Sequence, residues 1–297
     1  MVKILVFGAQ GQLARSLFAV EERADVALVC AHRPETDLMK PASLGAAIAR
    51  HSPDYVINAA AYTQVDRAES EQDMAYAVNG AAVECMAGEC AARDIPLIHI
   101  STDYVYDGSK DAPYSEDDAT GPAGIYGLSK LAGEEALRAS GCRHVILRTA
   151  WVFSPYGQNF VKTMLRLAET RDQLDVVCDQ SGCPTYAPHL AAGIFRIIDK
   201  LSDSRPSQGL WGTYCMAGGG ETNWSGFAEE IFACSARLGG PVARVNPIPA
   251  SAYPTPARRP ANSRMNCGRL DAAFGIRLPH WREGTAQCVH SLLDNKS

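Results

Sequence analysis

Short, almost purely apolar runs recur along the chain at residues 3–7, 26–30, 55–57, 97–100 and 144–147. Runs this continuous suit strands that are covered on both faces. Between them the pattern turns helical, which predicts helices over residues 11–22, 41–51 (with Pro41 in the first turn), 68–92 and 125–139. Strands alternating with helices in this way predict a parallel, doubly wound sheet. In such a sheet ligands bind beyond the carboxyl ends of the strands.

After Trp151 the pattern is mixed. Helices are expected at 160–169, 189–201 and 225–238, and short strands at 175–178 and 212–216. A polar loop is expected at 202–208 and an irregular, proline-rich segment at 247–260. The expected fold is therefore α/β: a Rossmann-type doubly wound parallel sheet over residues 1–151, then a smaller α/β lobe over 152–297. Some segments of that lobe are expected to return to the first sheet.

Composition narrows the function. The chain has 297 residues, 46% hydrophobic and 21% charged, with a formal charge of -5. That balance argues against nucleic acid as a partner, which needs a basic footprint. An anionic substrate has to be held by a local cationic cluster. The ten cysteines are scattered without a CxxC pair, and Cys85/Cys90 and Cys178/Cys183 lack zinc-site context, so reduced thiols are expected. No run approaches the length of a membrane span, and the N-terminus does not read as a signal peptide. The expected place is the cytoplasm.

Gly8-Ala9-Gln10-Gly11-Gln12-Leu13-Ala14 follows the first strand and opens a helix. Glycine permits the tight turn and lets backbone approach a pyrophosphate, whose charge rests on the helix N-terminus. The second strand ends Cys30-Ala31-His32-Arg33, without the acid that commonly binds the ribose 2′-hydroxyl. Arg33 suits a 2′-phosphate, which favours NADPH over NADH; a solvated surface arginine is the plain alternative. Asp37 and Leu38 come just after and are expected near the adenine.

Tyr126-Gly-Leu-Ser-Lys130 places a phenol and an ammonium on one helix face. A close positive charge favours phenolate and lowers a phenol from its ordinary pKa of about 10. The spacing alone is common. Its context adds weight: Ser101-Thr102-Asp103 ends the fourth strand about one crossover earlier, and the glycine turn lies upstream. Together they offer a hydride donor site, a proton donor and a carbonyl-orienting hydroxyl.

The chain resembles the extended short-chain dehydrogenase/reductase family, and within it the reductases of dTDP-linked 4-keto-6-deoxy sugars. The likeness runs over essentially the full length. It rests on Phe7-Gly-Ala-Gln-Gly-Gln12, Ile57-Asn-Ala-Ala-Ala-Tyr-Thr63 with Val65-Asp-Arg-Ala-Glu69, Ser101-Thr-Asp-Tyr-Val105 and Tyr126-Gly-Leu-Ser-Lys-Leu-Ala-Gly-Glu134. More specific still are Arg148-Thr-Ala-Trp-Val152, Asn159-Phe-Val-Lys-Thr-Met-Leu-Arg-Leu167 and Ala252-Tyr-Pro-Thr-Pro-Ala-Arg-Arg-Pro260.

The resemblance implies Tyr126 as proton donor, Lys130 as its partner and holder of the nicotinamide ribose, and Thr102 as the hydroxyl on the substrate carbonyl. It implies Gly11, Gln12 and Leu13 at the pyrophosphate, with Gly8, and Ala60, Ala61 and Tyr62 at the cofactor-contacting end of the third strand. Thr102, Asp103 and Trp151 would meet the sugar. The implied reaction is reduction of the C4 ketone of dTDP-4-dehydro-L-rhamnose to dTDP-L-rhamnose. Arg258 and Arg259, in a proline-framed loop, suit phosphate oxygens; the resemblance favours at least one of them, Arg258 first, on the sugar-nucleotide pyrophosphate.

Two departures stand out. Gly124 replaces an asparagine common in the family, which predicts a missing hydrogen bond. Ser16, Pro188 and Ser291 fall where some members carry magnesium-bridging glutamates, so no metal and a monomer are expected, with a weak homodimer left open. Among other residues, Asp66, Glu69, Glu71 and Asp73 read as a solvated helix start. His99 reads as a core residue, and Trp211, Trp224 and Trp281 as packing. Asn79 is expected near the end of the fourth strand. A reductase of a different nucleotide-linked 4-keto hexose, a non-catalytic regulatory subunit and an epimerase stay open.

Overall fold

The computed structural model describes residues 1–20, 25–203 and 209–294. Its first half builds β1 (Val2–Phe7), α1 (Gln12–Val20), β2 (Val26–Ala31), α2 (Pro41–His51), β3 (Tyr55–Asn58), α3 (Val65–Ala68), α4 (Gln72–Tyr76), α5 (Ala82–Ala92), β4 (Leu97–Thr102), α6 (Ile125–Ala139) and β5 (His144–Thr149). All five apolar runs are strands. The expected end of the first helix, near residue 22, lies outside the described residues.

The second half adds β6 (Val152–Phe153), α7 (Phe160–Ala168), β7 (Gln173–Val177), β8 (Ser181–Gly182), β9 (Thr185–Tyr186), α8 (Ala187–Ser202), β10 (Gly212–Cys215), β11 (Thr222–Asn223), α9 (Trp224–Arg237), β12 (Arg244–Ile248), β13 (Asn262–Ser263), α10 (Gly268–Phe274) and α11 (Trp281–Asp294). The polar loop expected at 202–208 falls mostly outside the described residues. The last two helices were not foreseen from the sequence.

The main sheet runs β10-β5-β4-β3-β1-β2, all parallel. The chain starts in mid-sheet at β1, steps outward to β2, then crosses to β3 on the other side. That reversal opens a crevice at the carboxyl ends of β1 and β3, the usual ligand position in this architecture. Register aligns the ends: Phe7 lies beside Ala31 and Asn58, and Asn58 beside His99. The edge strand β10 comes from beyond residue 151, as does α8, which packs on α1.

Each face of the sheet buries its own core. Ile4, Val6, Ile57, Ile98 and Leu147 pack under α1, α8 and α10 through Leu17, Ile194 and Leu270. Leu5, Phe7, Val56, Leu97 and Ile146 pack under α2 and α5 through Leu44, Ile48, Val83 and Met86. A third core, built on Phe153, Val161, Phe227, Ile231 and Trp281, holds the second lobe.

Two expectations need correction. The region 68–92 is not one helix: α4 passes through a π turn at Ala77–Ala81 into α5, and residues 69–71 separate it from α3. The wide turn receives α6, since the Asn79 carbonyl lies 2.1 Å from where a Cβ on Gly133 would stand. Only glycine allows that approach. The segment from residue 247 is not irregular throughout, because β12 runs to Ile248 beside β7. Its Pro247 sits in a two-stranded sheet, where an edge tolerates the lost donor.

Candidate active site

The glycine turn closes tightly on β3. Gly8 has a φ of 110°, and a Cβ there would meet Ala60 N at 2.8 Å and the Ala59 carbonyl oxygen at 2.9 Å. Gly11 N–H donates to the Gly8 carbonyl at 2.8 Å, and α1 begins at the next residue. The arrangement leaves bare backbone and a helix N-terminus at the crevice, the chemistry a pyrophosphate requires.

Side chains around that turn are committed elsewhere. Leu13 is buried in the core, so its contribution at the crevice is its backbone amide. Gln12 spans to the second lobe: Nε2 donates to the Val152 carbonyl at 3.2 Å, and Oε1 accepts from Ser154 Oγ and Asn159 Nδ2, both at 2.9 Å. Sequence reasoning missed this bridge. Its signal was the Asn159 motif, whose Oδ1 also caps α7 by accepting from Lys162 N.

Arg33 is exposed and pairs with Asp37 at 3.1 Å, and Leu38 packs beside Ala60 on the second core. Ala60 N–H donates to Asn58 Oδ1 at 3.1 Å. Ala61 is half-buried. Tyr62 N–H donates to Asn79 Oδ1 at 2.8 Å, and its hydroxyl donates to Glu71 Oε2 at 2.6 Å. Asn79 Nδ2 donates to Ser129 Oγ at 3.0 Å, so this asparagine ties the third strand's end to the catalytic helix. The expectation placed it at the fourth strand.

The catalytic candidates gather where β4 ends and α6 begins. Thr102 Oγ1 donates to Asp103 Oδ1 at 3.0 Å, and the Thr102 hydroxyl acts to lower the Tyr126 phenol. The Tyr126 ring meets Tyr104 edge-on, with centroids 5.4 Å apart. Desolvation nevertheless pushes Tyr126 up to about 12, with the Asp103 charge adding to the rise.

This corrects the acidified phenol expected from the helix spacing. Lys130 Nζ is turned into the sheet, donating to the Ile100 carbonyl at 2.6 Å and lying 3.3 Å from His99 Nε2. The spacing puts both residues on one face, but the long lysine side chain is committed to strand β4. Burial pushes the lysine down to about 8, opposed by Glu134.

Asp103 is buried, accepts from Thr102, and keeps Oδ2 without a partner. Desolvation lifts it to about 6, opposed by the polar influence of Ser263 and Thr102. An orphaned acceptor in the crevice suits a sugar hydroxyl. Trp151 has a φ of 48°, lies against Gly182, and stacks on Trp224 at 3.5 Å with 9° between planes. Trp224 is the packing residue expected, and the ring it packs on is Trp151.

The acidic run is not a solvated helix start. Asp66 accepts from Ala257 N at 3.2 Å and from Arg259 at 2.9 Å, which draws the proline-framed loop onto α3. Glu69 Oε1 accepts from Ile125 N at 2.9 Å. Glu71 takes the Tyr62 hydroxyl and Arg67. Asp66, Glu69 and Glu71 thus each find hydrogen-bond donors, and only Asp73 stays exposed without one among the described residues. Arg258 is exposed and has no ion pair among the described residues, whereas Arg259 is engaged by Asp66. All ten cysteines are free.

A six-stranded parallel sheet with a glycine turn, and a Thr–Tyr–Lys constellation at its carboxyl edge, define a reductase of the short-chain dehydrogenase type. Residues 2–293 match the family model of the RmlD substrate binding domain. A dTDP-4-dehydrorhamnose reductase of Sinorhizobium fredii is 46% identical over 98% of both chains. The solved dTDP-4-dehydrorhamnose reductase of Clostridium acetobutylicum superposes with a TM-score of 0.90 at 33% identity, covering 98% of this chain and 99% of that one. That of Bacillus anthracis, in complex with NADP, gives 0.89 at 31% identity, covering 98% and 100%. The chain belongs to the dTDP-4-dehydrorhamnose reductase family. Among the described residues no helix is long and apolar enough to cross a membrane.

Proposed function

We propose that this protein reduces the C4 ketone of dTDP-4-dehydro-L-rhamnose to dTDP-L-rhamnose with NADPH, or NADH, as reductant. The observation that carries the reading is the convergence of Thr102, Tyr126 and Lys130 at the end of β4, beside a crevice floored by Gly8 and Gly11. Residues 1–151 mainly hold the dinucleotide and 152–297 mainly the sugar nucleotide.

The crevice fits a dinucleotide because the Gly8 turn is already pressed against Ala59 and Ala60, which leaves main-chain donors facing outward. Gly11, Gln12 and Leu13 would offer backbone to the pyrophosphate. Ala60, Ala61 and Tyr62 would line the nicotinamide side, while Arg33, Asp37 and Leu38 would lie around the adenosine. The exposed Arg33 guanidinium suits a 2′-phosphate. When bound, the reduced nicotinamide supplies the hydride. The Bacillus anthracis relative was solved in complex with NADP, which favours NADPH here.

The chain's own residues do the proton chemistry. Tyr126, held up at about 12, remains a protonated phenol until the ketone oxygen becomes basic, and then delivers its proton. Thr102 would turn its single O–H from Asp103 to the same oxygen and stabilise the charge that develops there. Lys130 would position the nicotinamide ribose. Asp103 and Trp151 orient the sugar, and Arg258 meets its pyrophosphate. The working form is a monomer without a metal, in the cytoplasm, feeding cell-surface polysaccharide synthesis.

The test is NADPH oxidation followed by absorbance with dTDP-4-dehydro-L-rhamnose and with the uridine-linked analogue. Rapid turnover of the thymidine substrate supports the reading. Preference for the uridine analogue replaces the proposed substrate, and no oxidation with either sugar overturns the reading.

A further inference from the structure

The buried network behind Lys130 fixes where its protons sit. Asn58 and His99 are neighbours in the sheet register, both fully buried. The Ala60 N–H donates to Asn58 Oδ1 at 3.1 Å, and a peptide N–H cannot accept, so the amide has only one orientation. Its NH2 group therefore faces His99 Nδ1, 3.1 Å away. That group only donates, so Nδ1 is the bare nitrogen and the imidazole proton lies on Nε2.

Nε2–H then points at Lys130 Nζ, 3.3 Å away. An ammonium carries donors and no lone pair, so donor would face donor. A doubly protonated His99 fails as well, because Nδ1–H would face the Asn58 NH2. The contacts are all satisfied when Nζ is an amine that accepts from Nε2–H and donates to the Ile100 carbonyl at 2.6 Å.

We propose that Asn58 and His99 are positioning residues that lower the proton affinity of Lys130 and favour its amine form in the cofactor-free protein, His99 acting through a tautomer dictated by Asn58. The inference rests on the reading of Lys130 as part of the reducing site. The surroundings agree. His99 is faced by Lys130 from α6 and His144 from β5, and burial is the main cause that holds it well below the ordinary histidine range. Glu134 favours a charged lysine, but its carboxylate is shared among Ser101, Arg138 and Arg148. One N–H of the amine stays available toward Tyr126 and the ribose.

The test is nitrogen NMR on cofactor-free protein labelled with 15N in its histidine rings. His99 is recognised as the signal missing from His99→Asn and, independently, as the ring whose N–H resists solvent exchange. The expected result is a proton on Nε2 and none on Nδ1. Asn58→Asp presents a carboxylate to Nδ1, so it reverses the tautomer and raises the midpoint of Lys130, read from its 13Cε shift, by about one pH unit or more. A proton on Nδ1 in the unaltered protein, or Lys130 titrating with the exposed lysines, overturns the proposal. Loss of turnover in Tyr126→Phe alongside a proton on Nδ1 leaves the active-site reading intact and removes only this inference. The expected tautomer alongside unimpaired turnover in Lys130→Met does the reverse.

Discussion

Glu69 Oε1 stands 2.9 Å from the backbone nitrogen of Ile125 and caps the catalytic helix from another element. Gly124 makes room for it, since a Cβ there would lie 2.7 Å from the same oxygen. Gly124, two residues before Tyr126, therefore does not lose the helix a hydrogen bond; the bond has moved to α3's end. Glu69→Ala is expected to cost about 1 kcal/mol of stability, in the ordinary range for a lost cap. Gly124→Asn alone should also destabilise, while Glu69→Ala with Gly124→Asn recovers most of the loss, because the asparagine caps in place. Denaturant midpoints of the four proteins check this, and additive losses would contradict it.

Asp66 anchors the loop that presents Arg258 and Arg259. Asp66→Asn weakens that hold on Arg259, and Arg258→Ala removes a phosphate donor. Both are expected to raise the KM of the sugar nucleotide about tenfold, equivalent to about 1.4 kcal/mol, with cofactor affinity unchanged. Steady-state kinetics with either substrate varied distinguishes the two. A rise in cofactor KM of similar size would place the loop on the dinucleotide instead.

Trp151 adopts a left-handed backbone that a bulky residue enters only when its surroundings hold it there. Trp224 supplies much of that hold by stacking. Trp224→Ala is expected to raise sugar-nucleotide KM about fivefold to tenfold, with Trp224→Phe in between. Unchanged KM in both variants would reduce Trp224 to packing.

Asp103 carries a pH signature. Its carboxyl is raised to about 6 in the fold, against 3.8 for a free side chain. The folded state then binds more protons than the unfolded one across that interval, so stability falls as pH rises from about 4 to 6 and levels off above. Asp103→Asn should abolish this slope and gain on the order of 1–3 kcal/mol at pH 7, while weakening sugar binding. Thermal unfolding across that range measures it, and a rise in stability over the same interval would refute the sign.

The sequence made the sheet legible because strands buried on both faces are written as unbroken apolar runs. Tyr126, Lys130 and Thr102 were found through spacing and strand-end position. What spacing could not convey was direction: Lys130 lies on the expected face yet directs its Nζ to Ile100 and His99. The acidic run looked solvated because Asp66 and Glu69 find their partners far along the chain; Ile125, Ala257 and Arg259 are 56 to 193 positions away. The Trp224 stack on Trp151 and the Gln12 bridge escaped for the same reason, since each acts on the other half of the chain.

The central claim is that the Tyr126 phenol delivers the proton to the ketone oxygen. Tyr126→Phe keeps the ring and its packing on Tyr104 and removes only the hydroxyl. Single-turnover kinetics with saturating NADPH and dTDP-4-dehydro-L-rhamnose should show a loss of roughly 100-fold to 10,000-fold in the chemical step, with the dissociation constant for NADPH nearly unchanged. A rate equal to that of the unaltered protein would contradict the account.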